Sequence, residues 1–132
     1  MRLKKEFEAL EQPLEMILNM SGMSYAWRTE EFPDRKLEDG RQVGFIAQDL
    51  EKILPAAVRT DGEGYKSVSY TTVVPVLVEA VKVQEKQINA QRKQINAQQK
   101  QHDEQQKQID VQQKQIEDLK AAVAQLLTRS RL

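Results

Sequence analysis

The sequence contains no cysteine and only one histidine in 132 residues, and its last 48 residues hold no glycine, no proline and no aromatic side chain. Zero cysteine excludes a disulfide framework and a thiolate zinc site. The single histidine, His102, lies in the long polar C-terminal part, so the rest of the chain has no imidazole for a Ser/His/Asp triad. Long apolar runs are missing too. The longest, Val73-Val74-Pro75-Val76-Leu77-Val78, is broken by proline and followed by Glu79, too short to span a bilayer. The charged start, Met1 to Glu8, has no apolar stretch behind it and does not read as a signal peptide. Neither sign of charge dominates: 20 basic residues balance 20 acidic ones, so no general nucleic-acid binder is expected. There is no glycine-rich phosphate loop and no acidic metal cluster, and no cofactor is expected.

What is present is unevenly distributed. All 5 Gly, all 4 Pro and every aromatic residue lie before residue 85, whereas the remainder holds 13 Gln. The expected organisation is a small mixed head over residues 1–83 and a repetitive tail over residues 84–132. The fold class is α+β: helices, short strands and a hairpin, followed by one long C-terminal helix.

Written in sevens from Gln87, the tail reads QINAQRK, QINAQQK, QHDEQQK, QIDVQQK, QIEDLKA, AVAQLLT. One position of this repeat carries Ile88, Ile95, His102, Ile109, Ile116 and Val123. Three residues later come Gln91, Gln98, Gln105, Gln112, Leu119 and Leu126. Assigning these series to a and d gives a heptad coiled coil, with Lys86, Lys93, Lys100, Lys107 and Lys114 at the outward f position. A disordered glutamine-rich tail would have no reason to hold a phase of seven. A solitary helix is disfavoured as well, because one isoleucine per two turns makes a stripe too narrow to pack on a globular core. Each buried isoleucine contributes roughly 1.5–3 kcal/mol, and it is buried only where copies of the helix meet. The tail is therefore expected to self-associate.

The e positions (Glu85, Arg92, Gln99, Gln106, Gln113, Lys120) and the g positions (Gln87, Gln94, Gln101, Gln108, Gln115, Ala122) carry no charge code for a different partner, which favours a homomer. Glutamine at d can bond to its symmetry mates around a three-fold axis, so a parallel trimer is preferred to a dimer. His102 has two readings. One is a polar layer that fixes register. The other is three imidazoles around one axis holding an anion or a metal ion.

In the head, Leu3, Phe7 and Leu10 have helical spacing over residues 3–12, and a second helical piece begins at Pro13 and ends near Gly22. Ser24 to Arg28 alternates as a strand, and Thr29 to Gly40 reads as an exposed loop. From Arg41 to Leu54 a short strand runs into a helix with Ile46, Leu50, Ile53 and Leu54 on one face, closed by Pro55. Asp61-Gly62-Glu63-Gly64 signals a hairpin between Val58–Thr60 and Ser67–Tyr70. Thr71 or Thr72 is expected to cap the long helix, with Pro75 near its first turn. Val74, Leu77 and Val81 continue the a/d series backwards.

The adjacent carboxylates Glu30 and Glu31 read as solvated charge. The chemistry left open by composition is a Ser/Lys pair, for which Lys4 and Lys5 are candidates by position alone.

Three blocks narrow this: Gly44-Phe45-Ile46-Ala47-Gln48-Asp49-Leu50-Glu51, Gly64-Tyr65-Lys66-Ser67-Val68-Ser69-Tyr70, and Val74-Pro75-Val76-Leu77-Val78-Glu79-Ala80-Val81-Lys82. With Tyr25-Ala26-Trp27 and Arg2-Leu3-Lys4, and in this order, they resemble the intramolecular chaperone auto-processing domain, the peptidase S74 family of phage tail spikes, tail fibres and endosialidases. The resemblance covers about residues 2–83. It implies a homotrimer that templates folding of the fibre or spike segment upstream in the same precursor and then cuts itself off, in the host cytoplasm during virion assembly. The implied cut uses a serine just ahead of the Arg-Leu-Lys segment, with Lys4 as general base. No serine precedes Lys4 here, so the chain reads as the released C-terminal product and is expected to be inactive alone. A non-cleaving coiled-coil tether or docking module is the alternative.

Overall fold

The computed structural model describes residues 3–131. These fall into two compact units, residues 1–86 and 87–132, counted with the termini. Among the described residues the element order is α1 (Pro13–Asn19), β1 (Gly22–Ala26), β2 (Arg41–Phe45), α2 (Ala47–Ile53), β3 (Val58–Thr60), β4 (Lys66–Val68) and α3 (Tyr70–Ser130). Single 3-10 turns at Pro33–Arg35 and Pro55–Ala57 punctuate the connections. The mixed head followed by a long C-terminal helix is the architecture expected.

The opening helix expected over residues 3–12 is absent, and the chain there is irregular. Two backbone features oppose a helix. Glu6 sits at φ 56, and Gln12 is left-handed at φ 48, ψ 47. Pro13 disfavours right-handed helix at the residue before it, so α1 must start at Pro13 itself, where a missing amide costs nothing. Leu3, at 99% exposed, and Phe7 have nothing to pack against, and so short a segment is marginal without packing.

β1 and β2 pair antiparallel, Gly22 opposite Phe45 and Ala26 opposite Arg41, so the strand expected at Ser24–Arg28 starts and ends two residues earlier. Arg41 locks this end of the hairpin by donating from Nε to the Ser24 hydroxyl (2.9 Å) and from Nη2 to the Ser24 carbonyl (3.0 Å). The residues between the strands form turns and loop, as expected.

β3 and β4 make the second hairpin, Val58 opposite Val68 and Thr60 opposite Lys66. Its turn is built by Asp61, whose Oδ1 accepts the backbone amides of Glu63 and Tyr65, both at 2.9 Å. Gly64 stands at φ 88, a conformation that glycine adopts without steric cost.

The head's core is small. Leu50 of α2, Ala57 and Val73 of α3 are buried together, with Ile17, Met20, Phe45, Leu54, Val58 and Val68 packed around them. Val76 and Ala80 are buried on the same side of α3. Ile46, expected on the core face, is instead 43% exposed, because it is the extended residue that precedes α2.

The start of α3 also differs from expectation. The helix begins at Tyr70, not after a cap at Thr71 or Thr72. Ser69 is held ahead of it by donating its amide to the Ala57 carbonyl (2.7 Å), and Thr72 returns both its amide and its hydroxyl to Ser69. Pro75 consequently lies in the second turn, and the amide it lacks is the one that would reach the Thr71 carbonyl. Helix α3 then continues to Ser130, as the repeat requires.

Candidate functional site

A tight contact in the head joins β2 to the first residue of α3. The Tyr70 hydroxyl accepts the Phe45 amide (3.1 Å), and the two rings stack at 5.7 Å between centroids. Tyr70 thereby occupies the space where a side chain on residue 44 would go: a Cβ there would collide with its hydroxyl oxygen and crowd the Tyr25 ring at 3.2 Å. Only glycine fits between the two tyrosines. Local patterning gave no sign of this contact, which joins residues 26 apart. Its only visible signal was a glycine inside a strand pattern, which marks close approach of another group.

Beside this contact runs an open groove of about 510 Å³, walled by Met23, Tyr25, Trp27, Ile46, Lys66 and Tyr70 among others. Trp27 packs edge-on against Tyr25 at 5.0 Å. Lys66 is not a free base, because Nζ is held by Glu51 (2.8 Å) and by the Thr60 hydroxyl (3.0 Å). The Ser69, Thr71 and Thr72 hydroxyls bond among themselves, with no lysine, histidine or carboxylate among their partners.

A second cluster fastens the long loop to the hairpin turn. Arg35 reaches Glu63 (2.6 Å) and Asp61 (3.7 Å), and its guanidinium lies 3.6 Å over the Tyr65 ring. Phe32 meets the other side of this group, edge-on to Tyr65 at 6.0 Å. The Tyr65 amide above all holds the Asp61 carboxyl below the ordinary aspartate range; desolvation opposes it, and the Glu63 amide and the Arg35 charge add to the lowering.

Lys4 lies exposed in the irregular segment before α1. Among the described residues no serine contacts it. Lys5 pairs with Glu6 at 3.1 Å, both side chains well exposed.

The expected seam residues lie along α3 with their side chains open to water. Ile95, Ile109, Ile116, Leu119, Val123 and Leu126 are between 45% and 65% exposed, and among the described residues of the tail only Ile88 is even half-buried. Gln91, Gln98, Gln105 and Gln112 are exposed as well. Within residues 1–86, Val74, Leu77 and Val81 are likewise exposed, while Val73, Val76 and Ala80 face the core. His102 is 71% exposed, 3.9 Å from Asp103, and among the described residues no group of three or more His, Cys, Asp or Glu side chains forms a metal cluster. No helix of the described residues is long and apolar enough to cross a membrane.

Residues 1–59 match the family model described as the chaperone of endosialidase, peptidase S74. The chain is 29% identical over 90 residues to the long tail fiber protein Gp37 of Salmonella phage S16, an alignment covering 66% of this chain and 12% of that protein. It is 33% identical over 91 residues to the proteins of the same name from Enterobacteria phages K3 and T2, covering 66% of this chain and 7% of each.

Proposed function

We propose, from the match of residues 1–59 to the chaperone-of-endosialidase family, that this chain is a trimerising chaperone segment for a phage fibre protein, with residues 1–83 as the chaperone head and 84–132 as the trimerisation tail. The observation that carries the trimer is the half-exposed ribbon of Ile95, Ile109, Ile116, Leu119, Val123 and Leu126, held in one heptad phase. A solitary helix leaves that surface in water; two more copies cover it.

The mechanism follows from tethering. Three tails that zip together hold three upstream segments at an effective concentration on the order of millimolar, which favours registered assembly of the fibre over wandering collisions. Glutamines at d bond to one another around the axis, so burial leaves few polar groups unsatisfied. His102 supplies the one layer unlike its neighbours and fixes which residue faces which. Once the fibre has closed, its own unfolding barrier keeps it assembled, and the chaperone is dispensable.

Release by self-cleavage extends this reading. Lys4 would act as general base toward a serine placed just ahead of Arg2 in a precursor, and trimer closure would bring the two within reach. The exposed, unengaged Lys4 of the single chain fits a site completed only on assembly.

Sedimentation of the purified chain at micromolar concentration, with far-ultraviolet circular dichroism, tests the core of the proposal. A mass three times 15.2 kDa with a strong helical signal is expected. A monomer that keeps its helix would end it. For cleavage, Lys4→Ala in a precursor carrying the upstream segment should abolish processing while leaving the mass unchanged.

A further inference from the structure

Helix α3 carries a second apolar flank that the a/d ribbon does not explain. Extending the heptad phase back through the head makes Val73 and Ala80 g positions, Val76 a c position, Pro75 a b position and Val78 an e position. Positions c and g share one side of a helix, and b and e share the other. The head packs on the c/g side: Val73, Val76 and Ala80 are buried there. Pro75 and Val78, on the b/e side, are exposed, Val78 at 48%.

The sequence distinguishes this stretch from the rest of the helix on both flanks. At g, Val73 and Ala80 give way to glutamine from Gln87 to Gln115. At e, Val78 gives way to Glu85, Arg92, Gln99, Gln106, Gln113 and Lys120. The apolar g residues are accounted for by the head of their own chain. The apolar e residue stands level with the same head but faces away from it. Leu127, the other apolar e residue, belongs to the closing heptads, where Ile116, Leu119, Val123 and Leu126 already widen the stripe.

In a parallel coil the g side of one helix abuts the e side of its neighbour. A head mounted on the c/g side therefore overhangs the b/e side of the next helix around the ring. We propose that Pro75 and Val78 are the docking surface for the head of a second copy, so that each head is clamped between its own helix and the adjacent one. The contact rests on the trimer reading above and adds to it: the heads themselves interlock around the axis, and the tails are not their only connection. It also puts a cover over an apolar surface beside a core of few residues, so the head gains stability on assembly.

The test uses the full chain with a benzophenone amino acid at position 78 and trimers mixed from isotopically light and heavy copies. Irradiation should give mixed-isotope crosslinks from position 78 to residues 13–68 of a second copy. Val78→Glu should leave the sedimented mass at three chains but lower the melting midpoint read from Trp27 fluorescence by several degrees. A trimer whose crosslinks stay within α3, or a Val78→Glu trimer with an unshifted midpoint, overturns the docking contact alone. A monomeric unsubstituted chain overturns the trimer, and the contact with it.

Discussion

Leu50, Ala57, Val73, Val76 and Ala80 are taken out of water within a single chain, whereas between Gln87 and Arg131 only Ile88 is even half-buried. The two parts use the same kinds of apolar residue for opposite ends. In the head, strands, turns and α2 bring distant side chains onto one side of α3. In the tail, a repeat of seven places them in a line left exposed along the helix. On the proposed self-association the tail's stability is set by mass action, and the head's, with a core inside its own chain, depends on assembly less. A melting midpoint that climbs with protein concentration is expected for the tail, and a weaker climb for the head.

The comparison breaks most completely if the line of isoleucines is interrupted. Ile109→Asp with Ile116→Asp replaces two layers, each worth roughly 1.5–3 kcal/mol per copy, by buried charge. The sedimented mass should fall to that of one chain, and most of the helical signal should vanish at micromolar concentration. The opposite change is His102→Ile, which makes the a series apolar throughout. It should raise the tail's melting midpoint, read by circular dichroism, at the cost of register specificity.

Within the head the largest effect is expected at Gly44. Gly44→Ala forces the Tyr70 hydroxyl off the Phe45 amide, and overpacking of this kind costs about 1–3 kcal/mol. Trp27 fluorescence should show an earlier head transition, with the tail's midpoint little changed. Tyr70→Phe removes the hydrogen bond alone and should cost about 0.5–1.5 kcal/mol. The smallest effect concerns Asp61. Its carboxyl is held below the ordinary range in the folded state, so the stability it contributes is present above the unfolded value of about 3.9 and is lost as pH falls through the lower folded value. A carbon-13 titration of Asp61 should give a midpoint below the unfolded value, and Asp61→Asn should flatten the head's acid transition in that window.

How far each part could be read from sequence follows from the range of the interactions that shape it. The tail's long helix was legible because a heptad is a local, repeated statement. So was the β3–β4 hairpin, since Asp61 and Gly64 build its turn from residues five or fewer apart. The supposed helix at Leu3, Phe7 and Leu10 had the right spacing but no surface to cover, and the backbone at Glu6 and Gln12 turned elsewhere. The Arg35 cluster and the Gly44–Tyr70 contact were invisible because each joins segments more than 20 residues apart. Along α3 the spacing picked out Val74, Leu77 and Val81, while the head needed Val73, Val76 and Ala80, one step around the helix. Lys4 was reached through family resemblance, and nothing in its surroundings in the single chain would have singled it out.

The oxygen that fills the missing side chain of residue 44 is carried by residue 70. Strand and helix therefore cannot be inherited separately. A genetic exchange between two such chains with its crossover between codons 45 and 70 would join one parent's glycine to the other's ring, and would succeed only where both parents keep the same pair. Crossovers downstream of codon 70 carry the match intact, so natural mosaics of such chains should have their joints there or upstream of the first strand.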